Sequence, residues 1–145
     1  MILVDTPIWS LALRRRETDL SAGERRHVGE WEQLVREGNA GLVGPVRQEI
    51  LSGVRDETAW KRLRTALRPF PDLRIETRDY ERAAEFFNRC RRRGITGSAV
   101  DLLICSVAHE LEVPLYTTDS DFELYADVLG LALHTPRPAT GSGDR

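Results

Sequence analysis

The sequence predicts an α/β domain, with a central parallel sheet of four to five short strands and helices packed on both of its faces. Short apolar runs recur along the chain, at residues 2–4, 40–43, 73–76, 113–116 and 131–134. Between them lie longer stretches whose apolar residues fall at helical spacing, and strands alternating with helices make a parallel sheet. The length of 145 residues is that of one ordinary domain, enough to bury a core without disulfides or metal staples.

The first run, Ile2-Leu3-Val4, is expected to be a buried strand ending at Asp5. Thr6-Pro7 follows as an N-cap and a proline at the first helical position, opening a short helix with Ile8, Trp9, Leu11 and Leu13. Ser21 and Glu24 have capping-box spacing and open a second helix with Val28, Trp31, Leu34 and Val35 on one face, closed by Gly38. Residues 40–43 form the second strand, and Gly44-Pro45 starts a helix carrying Val46, Glu49, Ile50 and Leu51. Asp56 or Thr58 caps the next helix, with Trp60, Leu63 and Leu67 on its face, and Pro69 and Pro71 break it. Leu73 to Glu76 reads as the third strand, and Asp79 as the start of the helix that Gly94 stops. Ser98 caps a strongly apolar helix running to Leu111. Residues 113–116 are the fourth strand, 121–129 a helix and 131–134 a last strand. The stretch from Pro136 to Arg145 is rich in Pro, Gly, Ser and Thr and is expected to be a disordered tail.

Composition narrows the function. A net charge of −2 excludes a polybasic nucleic-acid glue. The cations are nearly all arginine, Lys61 being the one lysine, and they cluster at Arg14-Arg15-Arg16, Arg25-Arg26 and Arg91-Arg92-Arg93. Arginine's planar fork suits phosphate, although such clusters also read as solvated helix faces. No run approaches the ~20 apolar residues of a membrane helix. Met1 to Asp5 has no basic region of the secretory kind, so residence in the cytoplasm is expected. Cys90 and Cys105 have no partner at metal-ligand spacing and read as reduced core thiols.

Carboxylates stand at element ends or beside apolar runs at Asp5, Glu49, Asp101, Asp119 and Asp121. Each has a structural alternative: a strand-end turn at Asp5, an exposed helix acid at Glu49, a capping-box acid at Asp101, N-caps at Asp119 and Asp121. Jointly they point elsewhere. Ligands of parallel sheets bind beyond the carboxyl ends of the strands, and Asp5 and Asp119 stand at two such ends. Asp101 lies on the apolar helix that feeds the strand before Asp119. Two such charges ~4 Å apart repel by roughly 4 kcal/mol at an effective dielectric of 20. Mg²⁺, or Mn²⁺ in its place, is the natural partner of such a cluster, because hard cations take carboxylate oxygens and water. His27, His109 and His134 are scattered and offer no alternative ligand set. A carboxylate-bound Mg²⁺ suits phosphodiester hydrolysis, without choosing among RNA, DNA and small phosphate esters.

At these residues the chain resembles the PIN-domain nucleases, and among them the VapC toxins of bacterial toxin–antitoxin pairs. Met1 to Thr6 is similar to the family's opening strand and first acid, Pro45 to Ile50 to the segment with the second, and Ser98 to Ile104 to the third. Leu115 to Phe122, with its T-x-D-x-D-F pattern, is the most specific match. The resemblance spans residues 1–135 and implies a PIN-like three-layer sandwich and a Mg²⁺-dependent endoribonuclease acting on structured RNA such as tRNA or rRNA. It implies metal ligation centred on Asp5 and Asp101, completed by Glu49 and Asp119, supported by Asp121, with Thr118 positioning water. Arg14 to Arg16 and Arg91 to Arg93 are the candidate RNA contacts. A homodimer and a small VapB-like antitoxin are also implied; Trp9, Trp31 and Trp60 are either core residues or anchors of the antitoxin groove. Many relatives carry a small hydroxyl residue where Pro7 stands; Thr6 still supplies a hydroxyl.

Two other functions compete. An aspartate-nucleophile phosphatase wants an acid at position 7 and a late lysine; the chain has Pro7 and only Lys61. A PIN-fold module that binds RNA or protein without cleavage would be marked by failure to bind Mg²⁺.

Overall fold

A computed structural model describes residues 1–138. The chain runs β1 (Ile2–Val4), α1 (Thr6–Leu13), a 3₁₀ turn (Glu17–Asp19), α2 (Ala22–Arg36), β2 (Ala40–Val43), α3 (Gly44–Leu51) and α4 (Glu57–Leu67). It continues through β3 (Asp72–Leu73), α5 (Thr77–Arg92), α6 (Ala99–Leu111), β4 (Leu115–Tyr116) and α7 (Asp121–Leu129). The sheet has four parallel strands in the order β3-β2-β1-β4.

That order positions the site. The chain steps outward from β1 to β2 to β3, then returns to place β4 on the other side of β1. Right-handed crossovers therefore put α1–α4 on one face and α5–α6 on the other. The packing agrees: α1 meets α2 and α3, α3 meets α4, and α5, α6 and α7 meet one another. The direction of winding reverses between β1 and β4, and such a switch point leaves a crevice at the strands' carboxyl ends.

The core is continuous across both layers. Leu3, Val4, Leu42, Val43, Leu115 and Tyr116 of the sheet are buried against Ile8, Trp9, Ile50 and Leu67 among α1–α4, and Leu102, Ile104 and Phe122 among α6–α7. Trp9 and Trp31 are both core residues, edge-on at 5.4 Å with Phe70 packed on Trp9 at 4.9 Å. Trp60 is half-buried beneath the Arg64 guanidinium. Cys90 and Cys105 are free, buried thiols, as expected.

Several boundaries differ from expectation for physical reasons. Asp5, not Thr6, is the N-cap of α1, and its side chain makes no cap bond because it is engaged elsewhere. Helix α5 starts at Thr77; Asp79 is its third residue, and its carboxylate accepts from the Glu76 amide at 2.8 Å. The third strand is displaced to Asp72–Leu73, where it pairs with Leu42 and Val43. The fifth strand contracts to one bridge, Leu115 to Leu133, with the Leu115 amide donating to Ala132 and its carbonyl accepting from His134. Of the expected tail, Arg137 is tied to Glu30 on α2, and residues 139–145 lie outside the described residues.

Candidate metal centre

The site is assembled from the ends of two strands, the last turn of α3 and the start of α6. β1 runs directly into Asp5, whose amide donates to the Tyr116 carbonyl at the end of β4 (2.9 Å). Because Val4 is in register with Tyr116, the residue after each strand meets its counterpart. Thr117 Oγ1 accordingly donates to Asp5 Oδ2 at 2.8 Å. The same hydroxyl accepts from the Asp119 amide at 3.0 Å, and Asp119 Oδ1 accepts from the Asp121 amide at 2.9 Å. β2 leads straight into α3, which carries Glu49 on its last turn; Thr6 Oγ1 donates to Glu49 Oε2 at 3.1 Å. On α6, Ser98 Oγ accepts from the Asp101 amide at 3.0 Å, so the cap is in place while the Asp101 carboxylate accepts from Tyr125 Oη at 3.3 Å. A side chain at Gly97 would collide with Leu102 and press on Tyr125, so glycine there lets the phenol reach Asp101.

The acids lie close enough to feel one another's charge. Asp5 is 4% exposed. Burial raises its pKa from 3.8 to about 6 against the Thr117 and Thr6 hydrogen bonds, with the Asp101 and Glu49 charges adding to the rise. Burial also raises Asp101, which feels Asp119 and Glu49. Tyr125 is raised by burial and by Asp101, Asp121 and Asp119. Beneath them the Cys105 thiol is pushed up by burial and by Asp101 and Asp5. No arginine or lysine pairs with Asp5, Glu49, Asp101 or Asp119 among the described residues.

The donor set is entirely oxygen, carboxylate and hydroxyl, of the kind hard cations take. Among the described residues no three His, Cys, Asp or Glu are drawn into a closed ligand cluster. An all-oxygen set lacks the Cys and His donors of a structural zinc site.

Of the candidates read from sequence, Asp5, Glu49, Asp101 and Asp119 are brought together, and Asp121 sits at the rim as the exposed first residue of α7. Thr118 is exposed and lines a neighbouring cleft. Arg14, Arg15 and Arg16 follow α1 and line a shared cavity, whereas Arg91, Arg92 and Arg93 are exposed at the end of α5. Two contributors are visible only in the fold: Thr117, next to the sequence candidate Thr118, and Tyr125. Lys61 pairs with Glu57 on the outside of α4 at 3.0 Å, which leaves the phosphatase reading without its lysine.

A parallel α/β sandwich with carboxylates gathered at its switch point is a nuclease-like architecture. The family model described as PIN domain matches residues 2–128, and the chain belongs to the PIN-domain family. It is 27% identical over 133 residues to VapC ribonuclease Mb1587 of Mycobacterium bovis, covering 90% of this chain and 96% of that protein. Among solved structures, FitAcB from Neisseria gonorrhoeae matches with a TM-score of 0.73 at 20% identity, over 94% of this chain and 98% of that one. A toxin–antitoxin complex from Klebsiella pneumoniae matches with a TM-score of 0.64 at 21% identity, over 94% and 98%. Likenesses at that identity show the fold.

Proposed function

We propose that this chain is a Mg²⁺-dependent endoribonuclease of the VapC type, a toxin that hydrolyses phosphodiester bonds of structured RNA such as tRNA or rRNA. The observation that carries the reading is Asp5: a buried carboxylate with no cationic partner among the described residues, sensing Asp101 and Glu49 across a crevice. A fold keeps such a charge where a ligand neutralises it. The similarity to a protein named VapC ribonuclease supports the same reading.

Bound Mg²⁺, or Mn²⁺ as a substitute, would supply Lewis-acid polarisation of the phosphodiester and cancel the carboxylates' repulsion. Asp5 and Asp101 would be its central ligands, with Glu49 and Asp119 completing the pocket and Asp121 supporting it. Thr117 fixes the Asp5 carboxylate, Thr6 fixes Glu49 and Tyr125 fixes Asp101, so each acid is oriented before metal and substrate arrive. Thr118, on the exposed rim, orients water or a phosphate oxygen. The arginines of 14–16 and 91–93 offset the pocket's repulsion of an RNA backbone.

The protein is expected to act in the cytoplasm; among the described residues no helix is long and apolar enough to cross a membrane. It works as a homodimer held in check by a small VapB-like antitoxin. An apolar groove of about 480 Å³ between α5 and α6, walled by Tyr80, Phe87, Val100 and Leu103, is a face that a second copy would cover. The likeness to a toxin–antitoxin complex from Klebsiella pneumoniae supports the antitoxin partner.

The test is RNA cleavage by the purified chain with Mg²⁺ and with EDTA. Cleavage should need the metal, and Asp5→Ala or Asp101→Ala should lower it by roughly a hundredfold or more with the fold retained. Equal activity of wild type and variants, or indifference to EDTA, would refute the proposal. Calorimetry without Mg²⁺ binding at millimolar metal would instead favour an RNA- or protein-binding module.

A further inference from the structure

A cleft of about 390 Å³ opens beside the acidic pocket, between α1 and α2. Its walls include Pro7, Leu11, Arg15, Glu24, His27 and Thr118. Pro7 lies two residues past Asp5, and Thr118 directly precedes Asp119, so the cleft is walled by chain neighbours of two of the acids. Its size is at the low end of small-molecule sites, roughly 300–1,000 Å³, suited to one small, half-polar group rather than to a folded partner.

Three of its polar side chains, Arg15, Glu24 and His27, differ in kind. Arg15 brings a full positive charge, tethered only at 3.5 Å to Glu24 and largely exposed. Glu24 is itself engaged, its Oε1 accepting from the Ser21 amide at 3.0 Å in the capping box. His27 is fixed at one nitrogen, Nδ1 lying 2.7 Å from Tyr116 Oη, while the same Tyr116 Oη donates to the His27 carbonyl at 3.3 Å. Nε2 is left as the ring's free polar edge, without a partner among the described residues. Burial and the charge of Arg26 lower the His27 pKa, so the ring presents a neutral edge. Pro7 and Leu11 supply an apolar wall.

We propose that this cleft is the subsite for the RNA nucleotide flanking the scissile phosphate, with Arg15 binding its phosphate, Pro7 and Leu11 packing its sugar or base, and His27 Nε2 hydrogen-bonding its polar edge. The assignment rests on the nuclease reading above and adds to it which arginine matters. Arg15 shares a cavity with the residue before Asp119, whereas Arg14 and Arg16 line a second cavity, with Ser10 and Asp19. A strand laid across the acids carries its next phosphate toward this cleft, and Arg15 is a cation in the cleft wall.

The experiment is anisotropy of a labelled single-stranded oligoribonucleotide of mixed sequence bound to the full-length chain carrying Asp5→Asn, without divalent metal, over a series of salt concentrations. Adding Arg15→Gln should weaken binding about tenfold and lower the salt slope by about 0.7, the loss of one phosphate contact on a single strand. His27→Asn keeps an N–H donor for Tyr116 Oη; it should weaken binding by roughly fivefold and leave the slope unchanged. Arg62→Gln, on exposed α4, should change neither. RNA affinity indifferent to Arg15 would overturn the subsite and assign the cleft to a protein partner, leaving the nuclease reading standing. No RNA affinity in any version would overturn that reading as well.

Discussion

Asp5 and Glu30 are both carboxylates buried in this small domain, at 4% and 6% exposure, and their pKa values move in opposite directions. Burial pushes both up. At Glu30 the protein answers it: His134 Nε2 lies 2.8 Å from Oε1, Arg137 Nε donates to the same oxygen at 2.9 Å, and the Arg137 amide donates to Oε2 at 3.3 Å. The result is a carboxylate held below its ordinary range. Arg137 also reaches Glu37 at 2.8 Å, and Arg26 donates to the Pro136 carbonyl, so residues 134–137 form a clasp across α2. At Asp5 the partners are a hydroxyl and an amide, with further carboxylates beyond, and the pKa rises to about 6. A buried charge that the chain neutralises itself is structure. One that it leaves unneutralised at a sheet's switch point is a place kept for something that arrives later.

The comparison breaks if the two residues respond alike to removal. Glu30→Ala strands a clasp whose hydrogen bonds to a charge are worth about 1.5–3 kcal/mol each, partly screened because Arg137 is half-exposed. A loss of about 3 kcal/mol is expected, lowering Tm by roughly 10 °C, with metal-dependent cleavage retained below the new transition. Asp5→Asn should do the reverse. Because its folded pKa is raised, the protonated form favours the folded state; that stability is present below about pH 4 and is lost as pH rises through about 6. Metal-free Asp5→Asn should therefore be more stable than wild type by about 3 kcal/mol at neutral pH, with the difference vanishing in acid. Mg²⁺ at ten times its dissociation constant should raise wild-type stability by about 1.4 kcal/mol and do much less for Asp5→Asn. Thermal melts of both variants from acid to neutral pH, with and without Mg²⁺, check all of this. A falling Tm for metal-free Asp5→Asn at neutral pH would mean that Asp5 is structural after all.

The two regions also differ in how legible they are. Asp5, Glu49, Asp101 and Asp119 can be read because each sits at an element boundary with apolar neighbours, and parallel sheets collect strand ends at one edge. The alternative for Asp101 was half right: Ser98 does cap the helix, but through the Asp101 amide, which leaves the carboxylate to the pocket. The clasp leaves no local signal, since Glu30 and Arg137 are 107 residues apart and each looks like a surface charge. Tyr125 is 24 residues from Asp101 and is brought to it only by the packing of α7 on α6. The shrinkage of the fifth strand has the same origin: apolar content makes Leu131 to Leu133 strand-like, but β4 is only two residues long and offers one residue to pair with.

The smallest expected effect sharpens the comparison most, because it touches only the orientation of the unneutralised acid. Thr118 is the exposed residue of the pair Thr117-Thr118, and strand register decides between them: Val4 opposite Tyr116 makes Thr117 the neighbour of Asp5. Its hydroxyl sits between two acids, donating to Asp5 and accepting from the Asp119 amide. Thr117→Val keeps the shape and removes both bonds, at a cost of about 1 kcal/mol. The Asp5 pKa should rise further, since the Thr117 bond is the leading influence holding it down. Mg²⁺ affinity should fall by roughly tenfold, in the range of lost outer-shell partners, while Thr118→Val leaves affinity within about twofold. Calorimetric Mg²⁺ titrations of the two variants decide it: equal affinities would mean that register does not orient the first acid, and a larger loss at Thr118 would restore the residue first read from the sequence.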